Sequence, residues 1–357
     1  MKNFNLETRY FPISHGAIHA VIDASTVMVV FSAIAVHNLT PSQSIFMIIS
    51  YDLYAFAGQA ILGYGMDKLR LSKSVILLGI ALTAISVLLV PLQAFTAMVT
   101  AGLGNALFHV GAGAVSLNTS PGHARDPGIF VAPGSLGLFL AIWLHENGNT
   151  ILWPFLLALA LSFVVSLKSS LPVLQTSSKP KPLPIKISLV LLSLLLFTIT
   201  IRSFVGYAGA YECPKLPILS LGLAFAAFGG KALGGIISDR LGWIKTSVGA
   251  LLISAPLIAF AGSNGIIIIV GMFFFQMTMP VTLTAVYGLI PSKPAFSFGL
   301  CALFYILGVF ASSYEPWVVY YNSYAFFGLI AFSAALIFVA LNRLRQVIPM
   351  KFTKTSH

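Results

Sequence analysis

Few residues of this chain could do chemistry, and they lie far apart. The first group is His15, His19 and Asp23, three polar residues at steps of four in an otherwise apolar stretch. In a helix that spacing keeps them on one slowly drifting face. If this apolar stretch spans a membrane, His15 is near enough to the boundary to snorkel toward water. Asp52 follows in the next apolar stretch, and His109 closes the run Gly102-Leu103-Gly104-Asn105-Ala106-Leu107-Phe108-His109. Histidine exchanges a proton near neutrality and desolvated carboxylates can do the same, so His19, Asp23, Asp52 and His109 suit proton transfer. The same imidazole and carboxylate donors also suit a metal or organic cation.

The second group is basic. Arg202 and Lys231 both stand inside apolar stretches. An arginine fork matches carboxylate, phosphonate or phosphate, which points to an anionic partner. The alternative partners for these cations are Asp23 and Asp52. Gln276 and Tyr305 are polar groups able to line the same cavity. Positive charge opposes a cationic cargo, so the two groups together favour an anionic or zwitterionic organic solute.

The elements that carry these residues are set by composition. Hydrophobic residues make up 58% of the 357 and charged residues 8%, with a mean hydropathy of +0.94. A water-soluble domain needs a far more charged surface, so the chain is expected to be a multi-pass membrane protein. Spanning a bilayer takes ~20 apolar residues. Twelve windows meet that, at about 13–36, 42–66, 74–92, 94–118, 128–146, 150–167, 187–209, 216–238, 245–262, 264–290, 294–314 and 320–341. Helix is the expected form, because unpaired backbone is not tolerated in lipid.

The net charge of +11 is explained by the side of the membrane on which it falls. With the windows above, every Lys and Arg lies in a cytoplasmic segment except Arg202, Lys231 and the external Lys215. That is the positive-inside pattern; it puts both termini in the cytoplasm and requires no nucleic acid. Trp143, Trp153 and Trp317 then mark the outer interface and Trp243 the inner one. Cys213 and Cys301 fall on opposite sides, so no disulfide is expected. The basic stretch 168–186, containing Ser177-Ser178-Lys179-Pro180-Lys181-Pro182, cannot continue a helix. It reads as a cytoplasmic linker between six-helix bundles at 1–167 and 187–357, the latter with a short cytoplasmic tail.

The two bundles carry a repeated motif. Ala57-Gly58-Gln59-Ala60-Ile61-Leu62-Gly63-Tyr64-Gly65-Met66-Asp67-Lys68-Leu69 matches Gly229-Gly230-Lys231-Ala232-Leu233-Gly234-Gly235-Ile236-Ile237-Ser238-Asp239-Arg240-Leu241 at one constant offset. Gly58 pairs with Gly230, Gly63 with Gly235 and Asp67 with Asp239, and a base follows each aspartate as Lys68 or Arg240. A shift of nearly half the chain indicates duplication. Lys231 occupies the place of Gln59, so the motif itself does not require a lysine there.

The spacing Gly63-x3-Asp67-Lys68 and Gly235-x3-Asp239-Arg240 resembles the signature of the major facilitator superfamily, found in the loops after helices 2 and 8. His19-x3-Asp23 and the glycine-rich run ending Phe108-His109 look most like its fosmidomycin-resistance branch. Val110 stands where that branch has proline, and Ala132-Pro133-Gly134-Ser135-Leu136-Gly137 is a loose version of a motif associated with antiporters. The resemblance implies an all-α fold of twelve transmembrane helices in two pseudo-symmetric six-helix bundles. It also implies a gating or loop role for the motif residues, and secondary transport of a small-molecule solute, efflux included, by alternating access.

No phosphate-cradling GxxxxGK[ST] is present, so ATP hydrolysis is not indicated and no cofactor is expected. Acid–base chemistry at Asp23 and the histidines could serve an intramembrane enzyme, but no nucleophile accompanies them. The expectation is therefore a proton-coupled transporter, monomeric in the cytoplasmic membrane of a prokaryote and in contact with lipid. The alternative is a metal or organic-cation transporter using His19, Asp23, Asp52 and His109. Asp23 is expected to be the coupling residue, so that Asp23→Asn abolishes proton-driven net transport and spares solute binding.

Overall fold

The computed structural model describes residues 6–171, 184–211, 213, 216–313 and 323–346. The linker segment 177–182, Lys215 and Trp317 lie outside these residues. Everything regular in the described chain is helix, and each of the twelve apolar windows holds at least one helix. Among the described residues, ten stretches are long and apolar enough to cross a membrane, and Trp153–Lys168 and Trp243–Ala259 are shorter apolar helices. The architecture is an all-α, multi-pass membrane protein.

The helices begin and end where local chemistry dictates. Helix α1 spans Leu6–Val36. Helix α2, Pro41–Asp52, starts with a capping box in which Thr40 accepts from the Gln43 amide and the Gln43 side chain accepts from the Thr40 amide. It runs into one π-helical turn, Leu53–Ala57, where the Gly58 N–H reaches back five residues to the Leu53 carbonyl. The ladder then resumes as α3, Gly58–Leu69, closed by Arg70 in the left-handed region.

Next come α4, Ser72–Leu89, and α5, Ala94–Thr119. A short α6, Arg125–Val131, is separated by Pro133 from α7, Gly134–Glu146, and α8 is Trp153–Lys168. The later helices are α9, Ile185–Tyr211, α10, Pro217–Leu241, and α11, Trp243–Ala259. The tenth window is broken before Pro280 into α12, Gly265–Gln276, and α13, Met279–Leu289, since proline cannot continue an intrahelical ladder. Helices α14, Pro294–Ser312, and α15, Ser323–Arg345, complete the described fold.

The chain forms two compact units. The first contains Met1–Thr119, Pro133–Val173 and Ser292–Leu303; the second contains Ser120–Ala132, Leu174–Pro291 and Phe304–His357. Each therefore includes a short piece from the other half of the sequence: α6 in the second unit and the start of α14 in the first. Within the first unit α5 is the central post, with 78% of its most apolar window buried. It lies against α4 so closely that a Cβ on Gly79 would sit 2.5 Å from the Phe108 nitrogen. Small residues at such crossings let helix backbones approach where lipid gives no hydrophobic drive. Within the second unit α11 packs on α12 and α15, and α10 packs on α12 and α6. Neither Cys213 nor Cys301 forms a disulfide among the described residues.

Candidate functional site

In the first unit, α1 and α5 bring three of the four expected acid and histidine residues together. His19 Nε2 lies 3.1 Å from Asp23 Oδ2, and His109 Nε2 lies 3.5 Å from Asp23 Oδ1. The two Nε2 atoms are 2.7 Å apart. His109 Nδ1 lies 2.8 Å from the Asn105 carbonyl, which can only accept, so Nδ1 carries the hydrogen. The neutral His109 ring therefore turns a lone pair on Nε2 toward His19. The space between the two nitrogens is filled either by a hydrogen on His19 Nε2, which also faces Asp23 Oδ2, or by a cation that both nitrogens ligate.

Asn105 holds the carboxylate in place. Its Nδ2 donates to Asp23 Oδ1 at 3.1 Å and to the Thr26 hydroxyl at 3.2 Å. Thr26 in turn contacts the Tyr51 hydroxyl at 2.8 Å, which ties the cluster to α2. Gly134 closes the other side. A Cβ there would lie 2.5 Å from Asp23 Oδ2 and 2.6 Å from His19 Nε2, so only glycine leaves room for the cluster. Gly134 also opens α7, whose positive end then lies beside the carboxylate. His19 and His109 are almost fully buried, while the Asp23 side chain keeps 21% of its surface.

Asp52, the fourth expected member, stands apart from this group. It is the last residue of α2, immediately before the π-helical turn, and makes no hydrogen bond or ion pair among the described residues. His15 also departs from expectation. It is not snorkelling but is 1% exposed, stacked on Phe11 at 3.9 Å and facing the Ser166 hydroxyl at 3.5 Å. The α1 face drifts across a neighbouring helix before it reaches the boundary, and α8 covers it.

The second unit holds the cations. Arg202 on α9 is 8% exposed, and three neutral groups orient its guanidinium. Its Nε donates to the Thr198 carbonyl at 3.2 Å, one Nη to the Thr278 hydroxyl, and the other to the Thr282 hydroxyl at 2.8 Å. Both threonines direct their own protons to backbone carbonyls, Phe275 and Thr278 respectively, and so present lone pairs to the arginine. The break in the tenth window places Thr278 between α12 and α13. These contacts fix the orientation of the fork.

Lys231 is half-buried on α10, and Gln276 packs against Gly230, one residue earlier. Tyr305 is 45% exposed on α14.

The repeated motifs perform the same task in each unit. Asp67 accepts from the Ala295 and Phe296 amides at 3.1 and 2.8 Å, capping the start of α14. Asp239 accepts from the Ala124 and Arg125 amides at 2.8 and 2.9 Å, capping the start of α6. A carboxylate at a helix N-terminus satisfies orphan amides and meets the positive end of the dipole. Gly63 and Gly235 pass directly against the carbonyls of Ala295 and Ala124, and Lys68 and Arg240 are exposed.

The second cap has two additions. Trp243 is buried and donates Nε1 to Asp239 at 3.2 Å, so it is not the interfacial belt residue expected from its position. His123 Nδ1 lies 3.6 Å from Asp239, and that hydrogen bond and charge raise the His123 pKa above its ordinary value despite partial burial.

Sequence reasoning missed Asn105, Thr26, Tyr51, Thr278 and Thr282. Asn105 was visible at one turn before His109, the spacing at which two side chains share a helix face. The threonines carry no comparable signal, because hydroxyls in apolar helices usually bond to their own backbone.

No family model matches the sequence, and no curated protein matches it. The fold does match solved structures. The E. coli fucose:proton symporter FucP superposes with a TM-score of 0.69 at 14% identity, covering 96% of this chain and 99% of that one. A bacterial homologue of the iron transporter ferroportin in an outward-facing state gives 0.61 at 14% identity, covering 94% and 98%. The human organic anion transporter MFSD10 gives 0.61 at 15% identity, covering 95% and 99%. At full length, and at identities too low to carry more than architecture, the chain has the fold of major facilitator superfamily transporters.

Proposed function

We propose that this chain is a secondary active transporter. In this reading it moves a small anionic or zwitterionic organic solute by alternating access, with both termini in the cytoplasm of a prokaryote. The observation that carries the reading is Arg202, a buried guanidinium oriented by Thr278 and Thr282 inside a membrane helix. A fixed, desolvated fork of this kind recognises a planar anion. Ionisable groups held within a membrane are costly and normally serve function. Lys231, Gln276 and Tyr305 are proposed as further solute contacts. Fold neighbours named for fucose:proton symport and for organic anion transport agree with this class of activity.

Proton coupling belongs to the same reading. Among Asp23, His19, Asp52 and His109, the role is assigned here to Asp52. Asp23 is already engaged by two histidines and an amide, whereas Asp52 has no such partner among the described residues.

The test is a thermal-shift screen of small carboxylates, phosphonates and phosphate esters on purified protein, since a ligand of the folded state raises apparent stability. A hit should lose at least tenfold in affinity in Arg202→Lys. In proteoliposomes, Asp52→Asn should abolish accumulation driven by a pH gradient and keep solute exchange. If no anion binds, or Arg202→Lys binds equally well, the anionic reading falls. If Asp52→Asn accumulates solute normally, the coupling residue lies elsewhere.

A further inference from the structure

We infer that His19, Asp23 and His109 form a binding site for a divalent first-row transition metal of the Zn2+, Co2+ or Ni2+ type. This stands apart from the solute reading, because it uses residues of the first unit alone and no cation of the second. The three side chains each offer one donor atom, all within 4.8 Å of one another. Two imidazoles and one carboxylate are a donor set for such ions, and hard cations such as Mg2+ prefer oxygen ligands. Zinc bonds to histidine and carboxylate are about 2.0–2.2 Å. A tetrahedral ion would therefore set the two nitrogens about 3.3 Å apart. From the 2.7 Å found here, the pair must open by a few tenths of an ångström.

The surroundings supply what a metal site needs beyond its ligands. The hydrogen bond from His109 Nδ1 to the Asn105 carbonyl fixes the tautomer that leaves Nε2 unprotonated. Asp23 is anchored by Asn105 Nδ2. A second, independent feature is the Asn105 carbonyl oxygen, Oδ1. It is fully buried and has no hydrogen-bond partner. In a metal-bound state the amide could turn over, giving up the Nδ2 contacts to Asp23 and Thr26 and bringing Oδ1 beside Asp23 instead. Two oxygens there repel unless a cation lies between them, and with a cation present Oδ1 becomes a fourth ligand. Gly134 keeps the space at this point free of a side chain.

The experiment uses the full chain, purified in detergent and stripped with a chelator, titrated with Co2+ alone at pH 7.5. Binding is read from the visible d–d absorption and from the metal content after desalting. The expected result is one Co2+ per chain, displaced by Zn2+ and not by Mg2+. Affinity should fall at least tenfold in His109→Gln, in His19→Gln and in Asp23→Asn, and about 10–100-fold in Asn105→Ala through the lost support. Arg202→Lys and Asp52→Asn should bind Co2+ as the wild type does, which separates this result from the solute reading. The proposal is overturned if folded wild-type protein takes up no Co2+, in which case the histidines share only a proton. It is also overturned if Co2+ uptake survives the loss of His109 and of Asp23. A variant that does not fold leaves the wild-type titration and the remaining variants to decide.

Discussion

Replacing Asp239 by alanine tests the capping argument most directly. The carboxylate takes the Ala124 and Arg125 amides and also meets Trp243 Nε1 and His123 Nδ1. Loss of a helix N-cap costs about 0.5–2 kcal/mol, and removal of the charge from the dipole adds about 0.3–1 kcal/mol. The Asp239 side chain is only 12% exposed, which favours the middle of that range. A total of about 2 kcal/mol corresponds to roughly thirtyfold in an opening equilibrium. The effect is local, because it releases the start of α6. Hydrogen exchange at the Ala124 and Arg125 amides should therefore speed up about thirtyfold in Asp239→Ala, and by less in Asp239→Asn, which keeps one acceptor.

His123 gives the cap a pH dependence whose sign follows from its raised pKa. The folded state binds the proton more tightly than the unfolded state. The contribution is therefore complete below the ordinary value of 6.5 and lost as pH rises through the higher folded value. At 37% side-chain exposure solvent screens much of it, leaving no more than about 0.5 kcal/mol. After correction for intrinsic exchange, protection at Ala124 and Arg125 should fall about twofold between pH 6 and pH 8.5. His123→Gln should abolish the trend. Protection in Asp239→Ala within twofold of wild type would refute the capping argument, and a pH trend surviving in His123→Gln would exonerate the histidine. The Asp67 cap is an internal comparison, since its neighbouring base is Lys293 and not a histidine.

Three further outcomes are expected. Gly79→Ala should lower the melting temperature sharply, by about 1–3 kcal/mol of stability, because the added Cβ meets backbone that cannot yield. Gly65→Ala, with open space around the Cβ in mid-helix, should stabilise by about 0.5–1 kcal/mol. Single cysteines at Ser178 and Ser263, in a background lacking Cys213 and Cys301, should label from opposite sides in intact cells. Labelling of both from outside would contradict the proposed topology.

The fold was legible because the bilayer restricts the choices. Apolar windows of the right length can only be helices, and the paired glycine and aspartate motifs announced the repeat that ends in the Asp67 and Asp239 caps. The His19, Asp23 and His109 cluster was partly legible through matched depth on two helices. Depth fixes one coordinate only, however, which is why Asp52 was grouped with them and stands apart. Arg202 was visible as a charge in an apolar helix, but its threonine partners depend on the break before Pro280. Trp243 was assigned to the interface by height alone; its partner, Asp239, is set by the tight turn at Gly242, where φ is 100°. His15 is buried for a similar reason, since burial depends on which neighbour covers a face, and here that neighbour is α8.

The π-helical turn between Asp52 and Gly58 has a consequence for the register of the repeated motif. Its counterpart α10 runs through the corresponding region as an unbroken α-helix. A π-turn accommodates one residue more than the α-ladder it interrupts. The two copies of the motif can therefore agree in register after Gly58 while everything before it is out of phase by one residue. That single surplus residue rotates the upstream part of the helix by about 100° and advances it by about 1.5 Å. Deleting one residue from 53–57 would heal the helix, keep its apolar character and leave the Asp67 cap in place. It would also swing Asp52 and Tyr51 onto a different face, so an apparently conservative shortening would act as a frameshift in three dimensions.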